Sequence, residues 1–291
     1  MSALKALTVF LTLSATYLQF GQSVAQQIEP TDADGSKMLR RVLSSSRPPT
    51  RIIGGHNAMF ADNPWQVALL AAARASNADA QFCGGSTVAP RWVLTAAHCV
   101  DNRTKPGQLA VLTGTESLVS GGRRVPVAPG GVIVHEQWDP STNENDIALL
   151  HVTGDLDGVA IQAVDGSQVP AVSKVRVSGW GAVSIDYLRT TNLLQAVEVD
   201  NISPAVCGSP LSYGDRLKAH MICAGQQGGG ADACAYDSGG PETVELSGKR
   251  LLLGIVSWGD SCGLPNKYGI YTQVSDFKTW IKQKSNGEVS W

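Results

Sequence analysis

The chain has 291 residues, with 43% hydrophobic and 16% charged side chains, 31 glycines and 14 prolines. This length fits one large domain or two ordinary ones, and low charge with many turn formers favours short strands over long helices. The net charge of −2 gives no electrostatic reason to expect nucleic acid as a partner.

Residues 1–25 predict a secretory signal peptide. Lys5 supplies an early positive charge, an apolar run follows, and Ser23-Val24-Ala25 offers the small residues of a cleavage site. A membrane anchor is the alternative, but the run is short and is interrupted by serine, threonine and glutamine. We therefore expect a secreted, extracellular protein that has no membrane segment.

The composition and the hydrophobic pattern of the chain change at Ile52. Residues 26–51 are polar, rich in serine and proline and without periodicity, which predicts an exposed, flexible segment. Beyond them, short runs rich in Val, Ile, Leu and Thr alternate with turn-forming clusters, which predicts an all-β barrel or sandwich. Only the stretch around Val274, Phe277 and Ile281 repeats at helical spacing and predicts an amphipathic helix.

The cysteine count suits disulfide bonds. A secreted chain permits them, and an even number of cysteines fits three bridges, although the count alone leaves the pairing open. No C-x-x-C pair is present, so we expect neither a zinc site nor another metal. The six cysteines are Cys83, Cys99, Cys207, Cys223, Cys234 and Cys262.

Three short motifs carry residues suited to nucleophilic acyl transfer. "TAAHC" contains His98, "NDIALL" contains Asp146 and "DSGGP" contains Ser238. A serine hydroxyl becomes a good nucleophile when an imidazole removes its proton, and a buried carboxylate fixes the tautomer of that imidazole. Each motif alone has an ordinary structural explanation, but their joint presence in the order His, Asp, Ser favours catalysis.

These motifs resemble those of the secreted trypsin-like serine proteases of the chymotrypsin fold. The resemblance covers residues 51–284 and includes "RIIGG" at an activation junction and the strand motifs "SGWG" and "VSWG". It implies an all-β fold of two six-stranded antiparallel β-barrels with a C-terminal helix. His98 and Asp146 would come from the first barrel and Ser238 from the second, with the site in the cleft between them.

The resemblance also implies domain bounds and disulfide pairs. The protease domain would cover residues 52–291, with the first barrel over about 52–160, the second over about 161–272 and the helix over about 273–285. The implied disulfides are Cys83–Cys99, Cys207–Cys223 and Cys234–Cys262.

The segment around Arg51 predicts activation of a zymogen. Residues 26–51 would be the propeptide, and cleavage after Arg51 would create an ammonium group at Ile52. In the family this group inserts beside the aspartate before the serine, here Asp237, since a buried carboxylate needs a partner. The activating protease could be another enzyme or the protein itself.

Asp232 lies six residues before Ser238, an offset at which the trypsin subgroup has an aspartate at the base of its substrate pocket. Such a carboxylate prefers substrates with arginine or lysine, and Gly259 and Gly269 would leave room for a long side chain. The alternative is a solvated loop residue. Ser257 would orient Asp146, and Trp258 would line the cleft.

Two residues depart from the family pattern. Tyr236 stands where the loop usually has glycine, and its backbone N–H, with that of Ser238, would form the oxyanion hole. A positive φ there would strain a tyrosine, and its phenol would project towards the leaving group, where it would exclude tight inhibitors or narrow the substrate range. Glu242 follows "SGGP" where an apolar residue is usual, which predicts either a shifted strand or an exposed carboxylate.

The sequence therefore predicts a secreted serine endopeptidase that cuts after arginine or lysine through an acyl-enzyme. A catalytically weakened or inactive homologue that acts as a binding protein is the alternative, since fold alone does not exclude it. An α/β-hydrolase esterase is disfavoured because that fold expects a G-x-S-x-G elbow around its nucleophile, whereas Tyr236 stands two residues before Ser238, and because its triad order would end with histidine. We expect a monomer without cofactors, protein substrates and inhibitors as partners, and glycosylation motifs at Asn102 and Asn201.

Overall fold

The computed structural model describes residues 55–101, 103–181, 191–230 and 236–291. Several sequence predictions lie outside the described residues. They are the signal peptide (1–25), the propeptide (26–51), Ile52, Asn102, Asp232 and Cys234.

The first half of the described chain forms a closed antiparallel barrel of six strands in the spatial order β2-β3-β4-β7-β6-β5. Every residue of β2, β3 and β5 is buried, which fits the mainly apolar or small residues of these strands, although β2 and β3 each begin with a buried glutamine. The strands are β2 (Gln66–Ala71), β3 (Gln81–Ala89), β4 (Trp92–Thr95), β5 (Leu109–Thr113), β6 (Arg123–Val134) and β7 (Ala148–Val152).

The second half forms another barrel, in the order β9-β10-β13-β12-β11-β8, which closes through pairing of β8 with β9. A short strand, β1 (His56–Asn57), adds to β9 of this barrel, with Asn57 opposite Gln195. The predicted pair of six-stranded antiparallel barrels is confirmed. The strands are β8 (Lys174–Gly179), β9 (Gln195–Ile202), β10 (Met221–Gly225), β11 (Pro241–Leu246), β12 (Lys249–Trp258) and β13 (Gly269–Gln273).

The C-terminal helix is confirmed and joins the two barrels. A 3₁₀ turn over Val274–Phe277 leads into α3 (Lys278–Lys284), and two shorter helices, α1 (Asn77–Ala80) and α2 (Pro204–Cys207), precede it. Phe277 and Ile281 are buried in a core cluster shared with the first barrel. Within the described residues, no helix has the length and apolar character that a membrane crossing requires.

Disulfides brace one loop of each barrel. Cys83 bonds to Cys99, and Cys207 bonds to Cys223. Cys262 is also disulfide-bonded, and its predicted partner Cys234 lies outside the described residues. A disulfide of this kind typically contributes about 2–4 kcal/mol to stability.

Glu242 does not have the exposed position that the sequence allowed. Its side chain is fully buried on β11, at a register shift between Glu242 and Thr243. Gly254 lies opposite on β12, where a Cβ would come within 2.3 Å of Glu242 Oε2, so the missing side chain makes room for the carboxyl. Neither carboxyl oxygen has a hydrogen-bond partner among the described residues. Burial accordingly raises the pKa of Glu242 to about 8.

The raised pKa of Glu242 predicts a stability that falls as pH rises. Between the unfolded pKa of 4.5 and the folded value of about 8, the unfolded chain releases a proton that the folded chain keeps, so alkali favours unfolding. We expect the free energy of unfolding, measured by urea denaturation, to drop by about 3–5 kcal/mol between pH 5 and 9.

Glu242→Gln should abolish most of this drop, because the amide does not titrate. The matched control is Glu245→Gln, which removes an exposed carboxylate from the same strand and should leave the pH dependence as it is. Equal pH profiles for wild type and Glu242→Gln would contradict the assignment.

Candidate active site

Two motifs of the first barrel bring an imidazole and a carboxylate together. His98 lies on the 3₁₀ turn Ala97–Cys99 directly after β4, and Asp146 lies just before β7, the strand that pairs with β4. Both side chains are fully buried. His98 Nδ1 is 2.6 Å from Asp146 Oδ2, and the backbone N–H of His98 donates to Asp146 Oδ1 at 2.9 Å.

The second barrel completes the surroundings of Asp146. The hydroxyl of Ser257, on β12, donates to Asp146 Oδ2 at 2.5 Å. The hydroxyl of Thr272, on β13, donates to the Asp146 carbonyl at 2.9 Å, a contact that sequence reasoning missed because no motif marks it. Since the Asp146 carboxylate accepts a hydrogen bond from Nδ1 of His98, the ring proton lies on Nδ1 and the lone pair on Nε2. Nε2 has no hydrogen-bond partner within the described parts of the chain.

Ser238 lies three residues before β11, and Gly239 and Gly240 follow it. The backbone N–H of Gly84, on β3, donates to the Ser238 carbonyl at 2.8 Å and holds this loop against the first barrel. Gly239 has a φ of 79°, and a Cβ there would lie 2.6 Å from the Gly84 carbonyl oxygen, so this position requires glycine. Gly84 follows Cys83, whose disulfide partner Cys99 follows His98, so one braced segment positions both the serine loop and the imidazole.

The Asp237 carboxylate is buried beside Gly179 and Gly181. Its side chain is fully buried, and its Oδ1 accepts a hydrogen bond of 2.8 Å from the backbone N–H of Gly181. A Cβ on either Gly179 or Gly181 would come within 2.5 Å of this carboxylate. The glycines of "SGWG" therefore create the space that the carboxylate occupies.

Tyr236 has a backbone conformation that is usually adopted by glycine. Its φ is 71°, in the left-handed region, while its side chain is half-buried against the core cluster of the first barrel. A bulky residue held there carries about 1–3 kcal/mol of strain. Its carbonyl accepts a hydrogen bond of 3.0 Å from Gln81 Nε2, a residue that no sequence motif identified.

A charged cluster that the sequence did not predict lies beside Trp258. Arg216 forms a two-pronged ion pair with Asp260, the Nη1–Oδ1 distance being 2.7 Å, and its guanidinium lies 5.5 Å from the Trp258 ring centroid. Lys267 also reaches Asp260, at 3.2 Å. The hydrogen bond to Arg216 lowers the pKa of the Asp260 carboxyl, and the same bond raises the pKa of Arg216.

The remaining predicted pocket residues are only partly described. Gly259 follows Trp258, and a Cβ built there would meet no atom closer than 3.6 Å. Gly269 begins β13, where it pairs with Ala224 of β10. Asp232, the predicted base of the pocket, lies outside the described residues.

Comparison with known proteins identifies the family. A trypsin family model matches residues 52–281. Coagulation factor XII of Cavia porcellus is 37% identical over 280 residues, covering 90% of this chain and 45% of that protein. Trypsin of Phaedon cochleariae is 35% identical over 248 residues, covering 82% of this chain and 90% of that protein.

A third relative, transmembrane protease serine 11G of Mus musculus, is 37% identical over 247 residues, covering 82% of this chain and 56% of that protein. The chain thus spans about half the length of two of these relatives and most of the third. Since the family match runs through both barrels, and each relative is more than a third identical across them, the chain belongs to the trypsin family of serine endopeptidases.

Proposed function

We propose that the chain is a secreted zymogen that is cleaved after Arg51 and then hydrolyses peptide bonds after arginine or lysine. One observation carries the catalytic part of this proposal. The buried carboxylate of Asp146 accepts hydrogen bonds from His98 and Ser257 at once, which fixes the imidazole with Nε2 as its basic nitrogen.

In the proposed reaction, His98 Nε2 takes the proton of Ser238 Oγ while Oγ attacks the carbonyl carbon of the scissile bond. The negative charge that develops on the substrate oxygen is stabilised by the backbone N–H groups of Tyr236 and Ser238. Nε2 then gives the proton to the leaving amine as the C–N bond breaks, which leaves an acyl group on Ser238. Water repeats the sequence, with His98 first as base and then as acid, and frees the serine.

Activation is proposed to depend on Asp237. Cleavage after Arg51 would give Ile52 a new ammonium group, and this group would pair with the Asp237 carboxylate. Complete burial of that carboxylate supports the proposal, because a buried charge is costly unless an opposite charge lies beside it. The pairing would order the loop that carries Ser238 and Tyr236.

Specificity for arginine and lysine is proposed from Asp232, on the strength of its offset from Ser238. Gly259, which follows Trp258, supports the proposal because it adds no side chain at a position where a Cβ would already contact Ser261, Tyr268 and Tyr213. A carboxylate at the base of such a pocket pairs with the cationic end of the substrate, with arginine able to bind in two places. Arg51 itself fits this specificity, so activation by another molecule of the same enzyme is part of the proposal.

Secretion is proposed from the signal sequence, with protein substrates and protein inhibitors as the partners of a monomer. We also propose N-glycosylation at the two N-x-S/T motifs of the sequence, which begin at Asn102 and Asn201. Asn201 is half-buried in β9, where its Nδ2 donates to the Pro170 carbonyl at 3.4 Å, and Asn102 lies outside the described residues.

A covalent serine probe tests the enzyme and its activation together. Protein cleaved after Arg51 should be labelled by a fluorophosphonate at Ser238, as located by peptide mass spectrometry, whereas an uncleavable Arg51→Gln variant should label at least about tenfold more slowly. Ser238→Ala is the control for labelling elsewhere. Cleaved protein that takes up no probe would instead favour the non-catalytic binding protein.

Replacing Asp146 tests the role of the buried carboxylate. Asp146→Asn should lower kcat by about 10³–10⁴-fold on an amide substrate, because the amide group favours the wrong imidazole tautomer. For comparison, Ser257→Ala should lower kcat by only about tenfold, since His98 still contacts Asp146 in that variant. A loss confined to KM in Asp146→Asn would count against the proposed role.

Steady-state kinetics on amide substrates ending in arginine, lysine and phenylalanine test the pocket. Asp232→Ser should reduce kcat/KM for the arginine substrate by about 10²–10³-fold and leave the phenylalanine substrate within about threefold. Unchanged preference for arginine in the variant would show that another group recognises the cation.

A further inference from the structure

The loop that carries Ser238 is fixed at three consecutive residues. The Tyr236 carbonyl accepts from Gln81 Nε2 at 3.0 Å, the Asp237 carboxylate accepts from Gly181 N–H at 2.8 Å, and the Ser238 carbonyl accepts from Gly84 N–H at 2.8 Å. Gln81 is the only one of these three donors that belongs to a side chain. Substitution can therefore remove it without altering the backbone.

The hydrogen bond from Gln81 to the Tyr236 carbonyl holds a strained part of the backbone. Tyr236 has a φ of 71°, a conformation that a tyrosine leaves unless its surroundings hold it. Its carbonyl belongs to the Tyr236–Asp237 peptide, which lies between the two N–H groups proposed to stabilise the oxyanion. A net change in the backbone torsions on either side of that peptide, ψ of Tyr236 and φ of Asp237, would change the angle between those two N–H groups.

The buried side chain of Gln81 acts as a hydrogen-bond donor to two backbone carbonyls. It is the first residue of β3 and is 4% exposed, and its Nε2 also donates to the Cys83 carbonyl at 3.3 Å. Its Oε1 is buried without a hydrogen-bond partner among the described residues, so the side chain is kept there at some cost. Only its two N–H donors offset that cost, and one of them is directed at Tyr236.

We propose that Gln81 is a positioning residue that holds the strained Tyr236–Asp237 peptide so that the N–H groups of Tyr236 and Ser238 converge on the oxyanion. This inference rests on the proposed acyl-enzyme mechanism. It makes the need for Gln81 conditional on the side chain at position 236, because glycine adopts a φ of 71° without strain.

A double-mutant cycle on cleaved protein tests the proposal. Gln81→Met, which keeps the length of the side chain and loses both donors, should lower kcat by about 10–100-fold with KM within about threefold. In a Tyr236→Gly background the same substitution should cost less than about threefold. Losses that are equal in the two backgrounds would overturn the proposal, as would a Gln81→Met variant with unchanged kcat.

A matched control separates positioning from general stability. Gln66→Met removes a buried glutamine of β2 whose Oε1 accepts from Ser178 at 2.6 Å and which has no hydrogen bond to Tyr236. It should lower Tm about as much as Gln81→Met and leave kcat within about threefold. An equally large fall of kcat in Gln66→Met would assign the effect to stability and overturn the proposal.

Inhibitor binding gives a readout that a merely structural role would not move. A peptide aldehyde, whose adduct with Ser238 carries an oxyanion, should bind Gln81→Met about 10–100-fold more weakly. Benzamidine, which mimics only the arginine side chain, should bind equally well. Parallel weakening of both ligands contradicts the proposal, because the pocket itself would then be disturbed.

The remaining outcomes are also decisive. If Gln81→Met does not accumulate as folded protein, the comparison of Tyr236→Gly with the double variant decides: equal kcat supports the proposal and a tenfold loss contradicts it. Failure of cleaved wild type to turn over substrate or take up the serine probe overturns the acyl-enzyme mechanism and this inference with it. A wild type that turns over, with an additive cycle, overturns the inference alone.

Discussion

The buried carboxylate of Asp146 is the contact on which the site depends. It lies at the start of a first-barrel strand, yet a hydroxyl from the second barrel, that of Ser257, satisfies one of its oxygens. Thr272 adds a second bond across the same boundary, to the backbone of Asp146. An ionised group without water is stable only when several donors surround it. The orientation of His98 is thereby coupled to the docking of one barrel on the other.

The beginning of β3 plays a corresponding part for the serine loop. Within four residues it supplies a side-chain donor at Gln81, a disulfide at Cys83 and a backbone donor at Gly84. The disulfide reaches the residue after His98, and the two donors reach the residues on either side of Asp237. His98 and Ser238 are thus both located relative to one short strand segment.

Sequence reasoning succeeded for features that short motifs encode and failed where distant strands decide. The two barrels follow from the turn spacing and the family motifs, and the motifs around His98 and Asp146 indicate residues that the structure places in contact. A shifted strand at Glu242 was one of the two predicted alternatives, but the burial of its carboxyl was missed because it depends on Gly254 across the sheet, which no local pattern reveals. Gln81 escaped notice for the same reason, since its partner lies 155 residues away.

The pairing of β1 with β9 limits how far a newly cut amino terminus could travel. Four peptide units separate Ile52 from His56, a span of about 14 Å when fully extended. Asn57 lies opposite Gln195, which lies opposite Gly179, and an ideal Cβ on Gly179 would be 2.2 Å from Asp237 Oδ1. The sheet therefore holds β1, the strand nearest to Ile52 in the chain, two strands away from the Asp237 carboxylate. If the chain is cleaved after Arg51 as proposed, the new ammonium group would be confined to the volume that this span allows at a high effective concentration, and its pairing with Asp237 would be an intramolecular event that dilution does not weaken.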